Sequence, residues 1–373
     1  MRLGLITYGL DRPLTGIGRY TVELARALIQ HIPDIELTLL TAGEPRALWA
    51  GAPLPYRRAH LPGCRLLPAL LTLGQMLIPH IARRRHLDIV HDPTGVTPFG
   101  LGTGPAQSLV TVHDVFSWVF PGTNTHLDQW IYRYWLPHRL RRIGHVLTDS
   151  ATSKADIARY LNVLSPNITV VALAPSALFK PAALPIMESV RARYALPERY
   201  ILFVGGRDKR RNLARLLAAH EQLDPNLTPP LVIVGARRPT GDTPANSPNN
   251  HRVVYLGHVP DTDLPALYSG AVAFIFPSLY EGFGLPPLEA MACGAPVLCS
   301  NAASLPEVVA DAAITFDPYN VDAMATVMRQ VLADADVRET LRQRGLARAT
   351  QFTWERTARE TWAVYQRVLE ATA

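Results

Sequence analysis

Short, continuous apolar runs recur along this chain of 373 residues, separated by segments whose apolar residues repeat at helical spacing. The first series of runs is Leu3–Thr7, Glu36–Leu40, Asp88–Val90, Ser108–Val112, His145–Thr148 and Ile168–Ala172. Unbroken runs of this length read as parallel strands covered on both faces. The intervening spacing predicts helices over Gly18–His31, Asp128–Arg142 and Ser150–Leu161, the last opened by the capping pair Asp149-Ser150. Ala174–Pro185, rich in Ala, Pro and Ser, reads as a linker. A second series of strands follows at Tyr200–Val204, Leu231–Val234, Val253–Leu256, Ala271–Phe276 and Pro296–Cys299. Its helices are expected at Asn212–Gln222, Asp263–Tyr268 and Leu288–Ala292, and helices fill the chain from Val321 to about Ala371. Arg237–Asn250 is crowded with Pro, Gly, Asn, Asp and Thr and reads as an exposed loop.

Two blocks of alternating strands and helices predict an α/β protein made of two Rossmann-like, doubly wound domains, with ligand sites beyond the carboxyl ends of the strands. Two such domains facing each other leave a cleft, a common place for a ligand. The expected domains are 1–178 and 186–354, with a last helix at about 355–373 packing back on the first.

Composition narrows the class. At 48% hydrophobic and 18% charged the chain is neither a disordered tail, a collagen-like fibre nor a small disulfide scaffold. The net charge of +6 is almost all arginine, since the lysines are Lys154, Lys180 and Lys209 only. No long basic run is present, so no nucleic-acid partner is expected; phosphorylated substrates or an anionic membrane surface suit the charge. Cys64, Cys293 and Cys299 are odd in number and lack metal-ligand spacing, which points to a reducing, cytoplasmic setting without disulfides or zinc. Met1-Arg2 leads straight into an apolar strand, so no signal peptide is expected. The most apolar stretch, Leu66–Ala82, is interrupted by Pro68, Gln75, Pro79 and His80, too often to span a bilayer. Arg65 and Arg83-Arg84-Arg85 flank it, leaving two readings: a segment lying on an anionic membrane, or a core helix with Leu70, Leu73, Leu77 and Ile81 inward.

Three loops carry candidate chemistry. Thr15-Gly16-Ile17-Gly18-Arg19-Tyr20 joins the first strand to the first helix, where glycines permit close backbone approach and a helix end favours an anion. It is not a dinucleotide fingerprint, because a third glycine in register is missing. Gly205-Gly206-Arg207-Asp208-Lys209-Arg210-Arg211-Asn212 places four cations at a strand's carboxyl end, suited to phosphate oxygens. Pro277 to Ala292 sets Glu281 and Glu289 on either side of Gly282-Phe283-Gly284-Leu285-Pro286-Pro287. The amides of Phe283, Gly284 and Leu285 would open a helix there, and the two carboxylates could accept hydrogen bonds from sugar hydroxyls.

With these residues in view, the chain resembles the retaining glycosyltransferases of family four, whose fold is the two-domain GT-B type. The signature, two glutamates with seven residues between them in a Glu-Gly-Phe-Gly-Leu-Pro context, stands here as Glu281 to Glu289. Gly294-x-Pro296-Val297, Ser304-Leu305-Pro306-Glu307-Val308, the Gly16 loop, His113-Asp114 and the basic loop follow the same pattern. The resemblance implies that Glu289 holds the ribose of a nucleotide sugar, and that Glu281 contacts the donor sugar. It places the Phe283, Gly284 and Leu285 amides around sugar and diphosphate, and Arg210 and Arg211 on the diphosphate. Gly16, with Gly18, would close over it from the other domain, and His113, with Asp114 beside it, would sit by the transferred sugar. Three departures stand out: Arg210-Arg211 where the family usually has Arg-Lys, Thr15-Gly16 where Gly-Gly is common, and Ala174-Pro175-Ser176 where a Pro-Asn-Gly turn is usual.

The function so implied is transfer of a hexose, with retention, from a nucleoside diphosphate sugar to a glycan or lipid-linked hydroxyl, with no cofactor and no metal. The context around Glu281 resembles bacterial mannosyl- and rhamnosyltransferases of surface polysaccharides, which points to GDP-mannose. The alternatives are a non-catalytic sugar-nucleotide-binding subunit and a sugar-nucleotide epimerase of the same fold. Peripheral contact with the inner face of the cell membrane is a further expectation.

Overall fold

In the computed structural model, which describes residues 1–11, 15–43, 55–99, 102–120, 129–140, 143–236 and 252–371, the apolar runs pair as parallel strands in two sheets. The chain divides into two units, Met1–Leu173 with Thr353–Ala373, and Ala174–Phe352.

The first unit's described strands are β1 Arg2–Ile6, β2 Glu36–Thr41, β3 Arg57–His60, β4 Ile89–Asp92, β5 Gln107–Thr111, β6 His145–Thr148 and β7 Ile168–Val170. They pair in the order β3-β2-β1-β4-β5-β6-β7. Leu3, Leu5, Leu37, Leu39, Ile89 and Val90 are buried, which is why these runs are apolar without alternation. The strand β3 has no such signal: only Ala59 is buried, and Arg57, Arg58 and His60 mark a charged edge. Helix Gly16–His31 starts at Thr15, whose hydroxyl accepts from the Gly18 amide, and buries Tyr20, Leu24, Ala27 and Leu28. Helix Trp354–Glu370, capped by Thr353, belongs to this unit and buries Ala358, Val364, Tyr365 and Val368.

One expected helix carries an irregular turn, and one expected stripe is corrected. The helix read over Asp128–Arg142 is helical at every described position, 129–140, with a π-helical turn at Ile131–Trp135 leading into Leu136–Leu140; positions 128, 141 and 142 lie outside the described residues. Pro137 has no N–H for the Arg133 carbonyl, so the regular ladder cannot run through. The apolar stretch from Leu66 forms two helices, Leu67–Thr72 and Gly74–Arg85. The break turns Gly74, Ile78 and Ala82 inward beside Leu70 and Leu71, while Leu73 is 41% exposed. The core-facing stripe is therefore not Leu70, Leu73, Leu77 and Ile81.

The second unit's described strands are β8 Ile201–Val204, β9 Leu231–Val234, β10 Val253–Gly257, β11 Ala273–Phe276, β12 Val297–Ser300 and β13 Ala313–Phe316, ordered β10-β9-β8-β11-β12-β13. One core cluster joins Phe203, Leu216, Ile233, Ile275, Met324, Met328 and Val331. Helix Leu184–Arg193 begins inside the segment read as linker, with Pro185 in its first turn. Helix Leu285–Ala292 starts three residues before the expected Leu288, because Pro286 and Pro287 occupy first-turn positions whose N–H groups have no helical partner. β13 escaped the pattern because three of its four residues are only partly buried or exposed. The loop read over Arg237–Asn250 lies outside the described residues.

Strand order reverses between β1 and β4 in one sheet and between β8 and β11 in the other, the switch points where open α/β sheets bind ligands. Among the described residues, no helix is long and apolar enough to cross a membrane.

Candidate active site

In the second unit the basic loop leaves β8 and the glutamate loop leaves β11, so the switch point between these neighbouring strands brings them together. Gly205 permits the first turn, since a Cβ there would stand 2.9 Å from the Phe203 ring and 3.3 Å from Arg211 Cδ. Asn212 adopts a left-handed conformation, φ 58°, and its buried amide donates to the Pro277 carbonyl at 3.1 Å and the Pro318 carbonyl at 2.7 Å. One side chain thus ties the basic loop to the ends of β11 and β13. The Leu279 amide adds a bond to the Arg210 carbonyl at 2.8 Å.

Glu281 is buried and does not face solvent alone. Arg211 Nη1 donates to its Oε1 at 2.7 Å, Ser278 Oγ donates to the same oxygen at 2.6 Å, and Arg210 Nη1 lies 3.8 Å from Oε2. The Arg211 guanidinium also lies over the Phe276 ring, 5.0 Å from its centroid. Arg210 Nε also lies 3.4 Å from Asp208 Oδ1, so the two arginines face one buried and one more exposed carboxylate, and a Glu281 oxygen stays in place for hydroxyls. The loop beyond is laced from below. Ser300 Oγ donates to the Ser278 carbonyl, and the Ser304 hydroxyl lies within reach of the Glu281 and Phe283 carbonyls at 2.9 and 2.7 Å.

Gly284 is required on two counts: its φ is +111°, and a Cβ would meet Leu305 Cδ2 at 2.6 Å. The Phe283, Gly284 and Leu285 amides stand at the head of helix Leu285–Ala292, whereas Pro286 and Pro287 supply none. Glu289, in the second turn, is buried, and the Tyr268 hydroxyl donates to its Oε2 at 3.3 Å.

In the first unit, His113 and Asp114 follow β5. Helix Gly16–His31 opens beyond β1 with Gly16 at its first position, where an added Cβ would meet nothing within 4 Å. The Gly18 amide donates to Thr15 Oγ1 at 3.2 Å, which caps the helix. The His113 ring is clamped by Asp149 Oδ2, 2.6 Å from Nδ1, and by the Pro93 carbonyl, 3.0 Å from Nε2. Asp114 turns back on its own loop and accepts from the Phe116 amide at 2.9 Å. The Tyr20 ring stands edge-on to His113 with centroids 4.7 Å apart. Behind it a buried polar chain runs from the Tyr20 hydroxyl to Thr111 Oγ1 (3.0 Å), on to His91 Nε2 (2.8 Å), and from His91 Nδ1 to the Tyr365 hydroxyl (2.7 Å). Burial, with the nearby His113, pushes His91 down to about 3, so its ring is neutral. Among the described residues, no group of three His, Cys, Asp or Glu side chains could hold a metal ion.

Comparison with known proteins decides the family. The family described as Glycosyltransferase Family 4 matches residues 14–173, and that described as Glycosyl transferases group 1 matches residues 188–348. The O-antigen chain mannosyltransferase B of Escherichia coli is 32% identical over 98% of this chain and 100% of its own length. The chain belongs to the family-four glycosyltransferases. A serotype-specific mannosyltransferase of Escherichia coli is 26% identical over 98% of this chain, which spans 47% of that longer protein. Among solved structures, sucrose-phosphate synthase from Thermosynechococcus elongatus superimposes with a TM-score of 0.77 at 21% identity over 99% of both chains, a likeness of fold.

Seen as a glycosyltransferase, the chain keeps its expected Arg211 and Glu281 in contact, and Glu289 on the helix that starts at their loop. Sequence reasoning missed the residues that hold them: Ser278, Ser300, Ser304, Asn212 and Tyr268 on the glutamate side, Asp149 and Asp92 on the His113 side. Small hydroxyls give no periodic signal. Asp149 was legible only as part of a cap, yet an acid at the end of one strand and a histidine at the end of its neighbour is a pairing that parallel order makes possible.

Proposed function

We propose that this glycosyltransferase moves mannose from GDP-mannose to a hydroxyl of a glycan or lipid-linked acceptor, with retention of configuration, in the synthesis of a surface polysaccharide. The second unit would take the donor and the first the acceptor. The observation that carries the reading is the Arg211–Glu281–Ser278 contact at the β8/β11 switch point, at the head of the helix that bears Glu289. Arg210 and Arg211 would meet negative charge growing on the departing diphosphate, with the Phe283, Gly284 and Leu285 amides beside them. Glu289 would accept the ribose hydroxyls. As the new glycosidic C–O bond forms and the anomeric C–O bond to phosphate breaks, the acceptor proton would pass to the departing diphosphate. The two mannosyltransferase relatives support the choice of sugar.

The same reading places the protein in the cytoplasm, at the inner membrane face. Leu66 and Met76 are 65% and 63% exposed, and the Arg83-Arg84-Arg85 run ends the same helix pair in the first unit. An apolar tip flanked by cations suits an anionic surface that carries a lipid-linked acceptor.

The test is transfer from GDP-mannose to a lipid-linked glycan, with the product's anomeric configuration read by NMR from its one-bond C–H coupling. An α-mannoside from the α-configured donor is expected; a β-linked product refutes retention, and transfer only from another donor refutes the sugar.

A further inference from the structure

His113 follows β5 and stands among the carboxyl ends of β4, β5 and β6, and both of its ring nitrogens are occupied. On one side Nε2 lies 3.0 Å from the Pro93 carbonyl, which can only accept, so Nε2 carries a hydrogen. On the other side Nδ1 lies 2.6 Å from Asp149 Oδ2, too close for two lone pairs to face each other, so a proton sits between them. The clamp is built from buried parts. Asp149 is buried at the end of β6. Asp92, also buried, holds the loop that offers the Pro93 carbonyl: its Oδ1 accepts from the Thr94 amide (2.9 Å) and hydroxyl (2.6 Å), and its Oδ2 from the Thr97 amide (2.7 Å). Even the His113 carbonyl is taken, by Ser153 Oγ at 3.0 Å.

We propose that Asp149 is a positioning residue of the transfer site, which with the Pro93 carbonyl holds His113 as a fixed imidazolium, so that His113 does not act as the base for the acceptor hydroxyl. The inference rests on the reading of His113 as a site residue and adds its charge state and the residue that sets it. A ring with a hydrogen on each nitrogen and an acceptor beyond each hydrogen has no lone pair to offer. The Asp149 carboxylate, 2.6 Å away, balances the imidazolium charge, so the ring acts on a substrate through its fixed orientation and not as a free cation.

The titratable and charged groups that face the ring are Asp149 beyond β6, Asp114 on its own loop, neutral His91 on β4, and Tyr20 on the first helix. Burial alone would push His113 toward the neutral form, but the Asp149 charge and hydrogen bond, the Pro93 carbonyl and Asp114 outweigh it, and its pKa is raised. Burial raises Asp149 too, against the pull of the His113 charge and hydrogen bond; the imidazole is the stronger base of the two to begin with, so the shared proton sits on Nδ1. A raised histidine keeps its proton as pH climbs through 6.5 and releases it only above.

The experiment is a pH titration of ¹⁵N-histidine-labelled full-length protein by NMR, with His113→Asn locating the His113 signals and Asp149→Asn as the perturbation. In the wild type both ring nitrogens should keep imidazolium shifts through pH 6.5 and change together at higher pH. Asp149→Asn should lower that midpoint by at least one pH unit, and its kcat/KM should fall at least tenfold at a pH between the two midpoints while recovering toward wild type at pH 5.5. A wild-type His113 that is neutral at pH 6.5, or an Asp149→Asn profile that tracks the wild type, overturns the proposal. The wild-type titration stands even if Asp149→Asn fails to fold. If the titration behaves as stated but His113→Asn leaves kcat/KM unchanged, the clamp is real and the placement of His113 in the transfer site is refuted.

Discussion

On the proposed function Arg211 and Glu281 would have two jobs, one with each other and one with the donor, and a double-mutant cycle separates them. Arg211→Ala leaves the buried Glu281 carboxylate with Ser278 at 2.6 Å and with Arg210 Nη1 at 3.8 Å as its remaining donors. Removing one partner of a buried pair costs about 3–5 kcal/mol when nothing replaces it. Ser278 stays bonded and Arg210 can close, so about 2–3 kcal/mol is the expected loss. For a unit of this size each kcal/mol moves Tm by about 2–4 °C, giving a fall of about 4–12 °C in scanning calorimetry. Glu281→Gln removes the charge and keeps the shape, so Arg211→Ala combined with Glu281→Gln should recover at least half of that loss. Nucleoside diphosphate affinity should not recover in the double variant, because the cation meant for the diphosphate is still missing. Two single losses that simply add in the double variant's Tm refute the pairing. Affinity restored together with stability refutes a diphosphate role for Arg211 and leaves it as the counter-ion of Glu281.

Glu289→Ala should weaken nucleoside diphosphate binding by about 1.5–3 kcal/mol, the worth of hydrogen bonds to a charged group, as read by calorimetry; unchanged affinity removes Glu289 from the site. Arg210→Ala should lower kcat more than it raises the donor KM, and the opposite split in steady-state kinetics would show uniform binding. His91, held near 3 when folded and near 6.5 when unfolded, contributes stability that is present above pH 6.5 and is lost as pH falls toward 3, since the unfolded chain then binds the proton first. Urea unfolding from pH 7 to 4 should therefore show a slope that His91→Gln reduces by about one proton, and an unchanged slope contradicts the buried neutral ring. Co-sedimentation with vesicles should need anionic lipid and weaken with salt, and Leu66→Ser with Met76→Ser should reduce it; binding indifferent to lipid charge and salt removes the membrane contact.

Strand positions were legible wherever both faces are covered, as with Leu3, Leu5 and Leu39, because two-sided burial writes itself as an unbroken apolar run. Of the edge strands, β7 and β10 were legible but β3 and β13 were not: β3 buries a single alanine among charged neighbours, and β13 a single phenylalanine. Proline explains two further differences. Before Pro137 the helix widens into a π-turn, and at Pro286 and Pro287 proline allowed a helix to start earlier than its apolar residues suggest. Glu281, Glu289 and the arginines stood out because charges beside glycines on a strand's carboxyl side are costly as mere core. Their supports did not stand out. Ser278, Ser304 and Asn212 act through carbonyls and a carboxylate brought near only by the sheet order, and a small polar residue in a loop looks the same whether or not it has such a partner.

The most direct test of the donor site is a calorimetric titration of the full chain with GDP-mannose, run beside the Glu289→Ala variant and beside UDP-, ADP- and dTDP-sugars. The account predicts saturable one-to-one binding that favours GDP-mannose and weakens at least tenfold in the variant. Binding of none of these donors, or equal binding by wild type and Glu289→Ala, would contradict it.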